Sequence, residues 1–158
     1  MLLHRRTFAA ACVLFAFAFG CSDSAGPGDS NPAGETFAAS LGVNISAMTK
    51  KSDALYLQDL VAGSGAVASA GHFMTVTYTG WLANGTQFDS NVGKAPLPFT
   101  LGIGQVIPGW DQGLVGMRVG GTRRLVIGSA LGYGSDGFPP AIPGNATLVF
   151  TVTVLSVQ

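Results

Sequence analysis

Two stretches, FMTVTYT at 73–79 and ATLVFTVTVLSV at 146–157, alternate large apolar side chains with threonines at a period of two. A strand turns successive side chains to opposite faces, so this pattern sets Met74, Val76 and Tyr78 against three threonines. In the second stretch Leu148, Phe150, Val152 and Val154 likewise oppose Thr147, Thr151 and Thr153. A helix would smear both sets around its circumference. The segments DALYLQDLV (53–61) and TRRLVIG (122–128) read as two further strands, and Asn84-Gly85 in WLANGTQF is a hairpin signal, since both residues tolerate positive φ. A single short helix is expected near 110–117, where Leu114 and Met117 fall at helical spacing from Trp110 and Gly113. Its glycines leave it dependent on tertiary support. The expected class is α+β, an antiparallel sheet with one short helix packed on it.

Charged residues make up 10% of the 158, against ~25% in ordinary soluble chains. Eight basic and eight acidic side chains cancel. Arg123 and Arg124 are neighbours on a strand and point to opposite sides, so no basic face for nucleic acid forms.

The front of the chain, MLLHRRTFAAACVLFAFAFGC, has the pattern of an export signal: Arg5 and Arg6, then an uncharged apolar run ending at Gly20-Cys21. AFGC resembles a bacterial lipoprotein lipobox, with Ala18 and Phe19 in place of the more usual Leu and small residue. Acylation of Cys21 is therefore expected, with an ordinary cleavage near Gly20 as the alternative. Each buried CH₂ of an acyl chain contributes ~0.8 kcal/mol, and more than one chain gives stable anchoring. Ser22 is not the aspartate associated with inner-membrane retention, which points to export and anchoring at the periplasmic side of the outer membrane. Residues 1–20 are thus assigned as signal, 21–50 as a tether and 51–158 as the folded domain. The tether begins flexible by composition, but Phe37, Leu41, Val43, Ile45 and Met48 are too many apolar groups for a spacer. They are expected to lie against the domain as a strand or a short turn.

Several chemistries lack their residues. Cys12 and Cys21 are the only cysteines, so residues 22–158 hold neither a disulfide nor a thiolate metal site. His4 belongs to the signal, and the lone His72 provides no basis for zinc or a Ser-His-Asp triad. Gly102-Ile103-Gly104 lacks the third glycine and the βαβ setting of a dinucleotide loop. No metal or cofactor is expected.

What remains is apolar side chains in turns beside Gly and Pro: Phe88, Val106, Ile107, Trp110, Tyr133, Phe138 and Ile142. Bulky apolar groups in loops are candidate binding surfaces. Clustered at one end of a threonine-decorated sheet, they suggest a concave apolar pocket.

Three motifs in order, VTYTGWLANGTQFDS, GQVIPGWDQGLVGMRVGGTRRLVI and LGYGSDGFPPAIPGNATLVFTVTVL, resemble the FK506-binding family of peptidyl-prolyl cis-trans isomerases. The resemblance runs over about residues 55–155, with a short gap between 89 and 99. It implies a twisted antiparallel sheet wrapped around a short helix. It places Trp110 at the pocket floor, with Tyr78, Phe88, Val106, Ile107 and Phe150 as walls. The Ile107 N–H and the Tyr133 hydroxyl would donate to substrate carbonyls, and Asp89 would be a partly buried acceptor near the Tyr78 hydroxyl. Ile142 would close the rim.

The sequence departs from the family pattern at Leu97, Leu131, Phe138, Ala141 and Lys94, mainly rim positions. An altered preference for the residue before proline is expected, with activity retained. The partners implied are proline-containing unfolded polypeptides and macrocyclic FK506-like inhibitors, bound by a monomer. The resemblance leaves a non-catalytic binder of Pro-containing segments as the alternative function. A purely structural surface lipoprotein, which would bind no such macrocycle, is the third.

Overall fold

A computed structural model of the chain describes residues 31–158. The signal and Cys21 lie outside the described residues. Seven strands form one antiparallel sheet: β1 (Thr49–Ser52), β2 (Leu55–Val61), β3 (Phe73–Leu82), β4 (Gln87–Ser90), β5 (Leu97–Thr100), β6 (Thr122–Ile127) and β7 (Leu148–Val157). Their lateral order is β1-β2-β6-β7-β3-β4, and β5 shares with β4 the outer edge of β3. Helix α1 (Pro108–Gly113) packs on one face of the sheet.

The period-two pattern sorts the two faces as expected. Met74, Val76, Leu125, Ile127, Leu148, Val152 and Val154 are all fully buried in one cluster with Trp110 and Leu114. On the reverse face, hydroxyls pair across strands: Thr75 with Ser156 at 2.7 Å, Thr79 with Ser90 at 2.9 Å and Thr122 with Thr153 at 2.8 Å.

That reverse face is not threonine-decorated throughout. The register aligns Tyr56, Val126, Val149 and Trp81 in one row across β2, β6, β7 and β3. Residues 37–48 cover the row. Leu41 and Met48 are buried against Tyr56, Val126 and Val149, with Phe37, Val43 and Ile45 packed alongside. The segment is neither a strand nor one turn but two 3₁₀ turns (Ala39–Leu41 and Ile45–Ala47) leading into β1. It is fixed at one end by the Ala38 N–H donating to Ala83 O, and in the middle by Arg124 Nη1 donating to Gly42 O, both at 2.8 Å. Its apolar side chains thus form a second, smaller core.

The helix starts earlier and stops sooner than its periodicity suggests. Pro108 occupies the first turn, where its fixed φ is favourable and its missing N–H costs nothing. The stretch expected as a Pro-Gly turn is therefore the helix start. The two glycines have a packing reason. A Cβ at Gly109 would lie 2.6 Å from Ile127 Cγ2, and one at Gly113 would lie 2.8 Å from Leu125 Cδ2. Their absence lets the helix sit directly on β6. Arg123, 7% exposed, seals the other end. Its Nη1 donates to the Gly113 and Val115 carbonyls at 2.7 and 3.2 Å, and its Nε and Nη2 grip Asp59 at 2.6 and 3.0 Å. A cation on the last carbonyls complements the helix dipole and caps groups that would otherwise be orphaned. Arg124 does point the opposite way.

The β3–β4 hairpin forms at Asn84-Gly85, but only Gly85 has positive φ, at 89°. Asn84 instead accepts the Thr86 N–H on its side-chain oxygen at 2.9 Å. The connection is thus a four-residue loop rather than a two-residue primed turn.

Candidate active site

The helix N-terminus, the middle of β3, β4 and β7 converge on a cavity of about 390 Å³. Its lining is Tyr78, Phe88, Asp89, Leu97, Gln105, Val106, Ile107, Trp110, Tyr133 and Phe150. All eight positions expected at the pocket's centre therefore meet around one cavity, with Leu97 beside them. Trp110, only 4% exposed, forms the floor. Tyr78 and Phe150 stand nearly perpendicular to its indole, with centroids at 5.1 and 5.3 Å and interplanar angles of 83° and 84°. Phe88 meets Phe150 edge-on at 5.5 Å. Edge-to-face contacts of this kind add to simple area burial and lock ring orientation. Gly80 makes room for them, since a Cβ there would fall 2.6 Å from Phe88 and 2.7 Å from Phe150.

Polar groups are few and placed at the mouth. The Tyr78 hydroxyl donates to Asp89 Oδ2 at 2.5 Å, and Asp89 Oδ1 accepts the Ser90 N–H at 2.8 Å. Asp89 is the expected acceptor, but it is exposed rather than partly buried, because it sits on the short edge strand β4. Lys94 does not pair with it; its Nζ donates to Ser90 O at 3.0 Å. Burial, then the hydrogen bond and charge of Asp89, push the Tyr78 phenol far above its ordinary range. Burial and the same carboxylate raise Tyr133. Both phenols therefore hold their protons at neutral pH. Among the described residues the Tyr133 hydroxyl and the Ile107 N–H have no acceptor, so two donors stand unused beside an aromatic hollow.

The loop carrying Gln105, Val106 and Ile107 is pinned to the helix. Asp111 accepts the N–H groups of Gly102 and Gly104 at 2.8 and 2.9 Å, where both glycines have positive φ. Gln105 Oε1 accepts the Thr100 N–H at 2.7 Å. Neither Asp111 nor Gln105 stood out in the sequence. Gln105 lies next to Val106 in the motif, and its polarity disguised it. Asp111 could have been found as a carboxylate in a helix's first turn facing a glycine-rich loop.

Four expected rim residues lie outside the cavity lining. Ile142 is 3% exposed and belongs to the main core, so it anchors its loop rather than closing the rim. Phe138 is 63% exposed and touches Tyr133 at 5.9 Å between centroids. Paired backbone hydrogen bonds between Phe138 and Ile142, at 2.8 and 2.9 Å, close the loop between them, with Ile142 in the core and the Phe138 ring left in solvent against Tyr133. Ala141 is exposed, and Leu131 is half-buried against the main core.

A sheet wrapped on a short helix, with an aromatic cavity at the helix start and no Ser, Cys, His or Lys in its lining, defines a binding pocket for a compact apolar group. The family model described as FKBP-type peptidyl-prolyl cis-trans isomerase matches residues 65–155. The chain is 52% identical over 104 residues to the FK506-binding protein of Neisseria meningitidis serogroup B, which spans 65% of this chain and 95% of that one. It is 55% identical over 89 residues to human peptidyl-prolyl cis-trans isomerase FKBP2, covering 56% of this chain and 63% of the relative. Among solved structures, FkpA from Escherichia coli superposes with a TM-score of 0.64 at 40% identity, over 70% of this chain and 51% of that one. AtFKBP13 superposes at 0.61 with 38% identity, over 66% and 93%. The chain belongs to the FKBP-type peptidyl-prolyl cis-trans isomerases.

Proposed function

We propose that this isomerase accelerates X-Pro rotation in exported proteins, by seating the proline ring over Trp110 while the Ile107 N–H and Tyr133 hydroxyl hold flanking carbonyls. Rotation about the bond crosses ~18–20 kcal/mol because the planar amide loses resonance. The twisted bond is less dipolar than the planar one. A dry aromatic hollow therefore destabilises the starting amide more than the transition state, and each ~1.4 kcal/mol of that difference gives a tenfold rate gain. No proton transfer or covalent step is needed, which suits a lining made mostly of aromatic and aliphatic groups. The observation that carries the proposal is the pairing of two unused donors with an indole-floored cavity.

The same pocket would take FK506-like macrocycles, and the domain would act as a monomer. The AFGC pattern supports acylation of Cys21 and tethering at the periplasmic face of the outer membrane, with residues 1–20 removed and 21–50 joining the anchor to the domain. Partition of the full-length product into detergent phase, lost in Cys21→Ser, tests the anchor.

The pocket is tested by Trp110→Ala. The substitution removes the floor and opens the main core at a cost of ~3–5 kcal/mol, so turnover is read at a temperature where the variant is folded. Turnover of a proline tetrapeptide should fall at least tenfold, with the far-ultraviolet circular dichroism unchanged. Parent-like turnover would reject this pocket as the site.

A further inference from the structure

One residue of the cavity lining has its side-chain amide oriented from outside the cavity. Gln105 Oε1 accepts the Thr100 N–H at 2.7 Å, from the end of β5. An amide whose oxygen is committed to a backbone donor presents its NH₂ as the remaining functional end. No described residue accepts from that group. Gln105 is an exposed residue and is among those lining the cavity, beside Val106 and Ile107. Its loop is held to α1 by the two Asp111 hydrogen bonds, so the amide is presented from a braced position.

We propose that Gln105 Nε2 is a third donor of the site, hydrogen-bonding a backbone carbonyl of the polypeptide beside the prolyl bond. The assignment rests on the pocket proposed above. A donor to the main chain recognises any sequence, which suits an enzyme whose substrates share a proline and little else. The contact lies on the flanking chain and not on the rotating bond. It therefore stabilises starting and transition states alike, and its loss appears in KM rather than kcat.

The test is Gln105→Glu, close in shape, in which one carboxylate oxygen keeps the Thr100 bond while the other replaces a donor by an acceptor. At pH 7.5 KM for a proline tetrapeptide should rise about fivefold to tenfold, with kcat within about twofold and the melting temperature unchanged. Protease-free exchange by NMR gives the measurement. A variant with parent KM at pH 7.5 overturns the assignment. Trp110→Ala is run in parallel. If it is inactive while Gln105→Glu matches the parent, only the role of Gln105 fails; if Trp110→Ala is fully active, the pocket itself fails.

Discussion

Residues 37–48 lie on the face of the sheet away from the cavity, so damage to them should reach stability without reaching chemistry. Leu41 is the best probe: it is 7% exposed and packs on Tyr56, Val126 and Val149. Burying a leucine and then truncating it to alanine costs ~2–5 kcal/mol, more where the neighbours cannot collapse. Leu41 already borders a cavity of about 300 Å³ beneath the segment, lined also by Trp81 and Arg124, so it forgoes some contacts that a fully enclosed leucine makes. The lower half of the range applies, about 2–3 kcal/mol. A domain of this length loses about 3 °C per kcal/mol, so Leu41→Ala should lower Tm by roughly 6–9 °C. Scanning calorimetry reads the shift, and peptide turnover at 10 °C, where the variant remains folded, should match the parent within about twofold. A loss of less than about 2 °C would mean that the segment is only laid against the sheet. A large loss of turnover at 10 °C would mean that the reverse face communicates with the cavity, and the separation argued here would be wrong.

The phenols give a pH prediction. Burial and the neighbouring carboxylate raise both Tyr78 and Tyr133 above the ordinary tyrosine value. A group whose folded-state pKa is raised contributes stability that is complete below its unfolded value, near 10, and is lost as pH rises beyond it. kcat/KM should therefore stay flat between about pH 7 and 9.5, with alkaline unfolding setting in above about 10; an activity step near pH 8–9 would show that a phenol titrates early. Asp111→Ala frees the Gly102 and Gly104 N–H groups and loosens the loop that presents Ile107. Two hydrogen bonds to a carboxylate at an exposed site are worth about 1–2 kcal/mol together, so kcat/KM should fall roughly fivefold to thirtyfold. Hydrogen exchange at 102–107 should rise in the same variant, and unchanged exchange would show that other contacts hold the loop.

How much of this was legible beforehand depends on whether a residue's role is set by its neighbours in sequence or by partners far along the chain. Strand alternation is local, and it sorted β3 and β7 onto their correct faces. The central aromatics were legible for a related reason: Trp110, Ile107 and Tyr133 are bulky groups in positions where the chain bends, and such groups need a partner surface. Val149 and Trp81 were not separable from the threonines around them, because only the register across four strands places them in one row with Tyr56 and Val126. Once that row exists, the apolar residues of 37–48 acquire a destination, which explains why they were recognisable as more than a spacer but not assignable to a conformation. Ile142 shows the opposite failure. As an apolar residue in a proline-rich loop it looked like rim, yet it is packed into the main core while Phe138, its backbone partner, is left in solvent. A loop of this kind has no period, so the sequence could mark both residues as apolar without saying which would face the core. The polar positions were hardest. Gln105, Asp111 and Arg123 act by holding backbone groups of other segments, and a side chain that serves as a brace looks like any solvated one until its acceptor or donor is placed beside it.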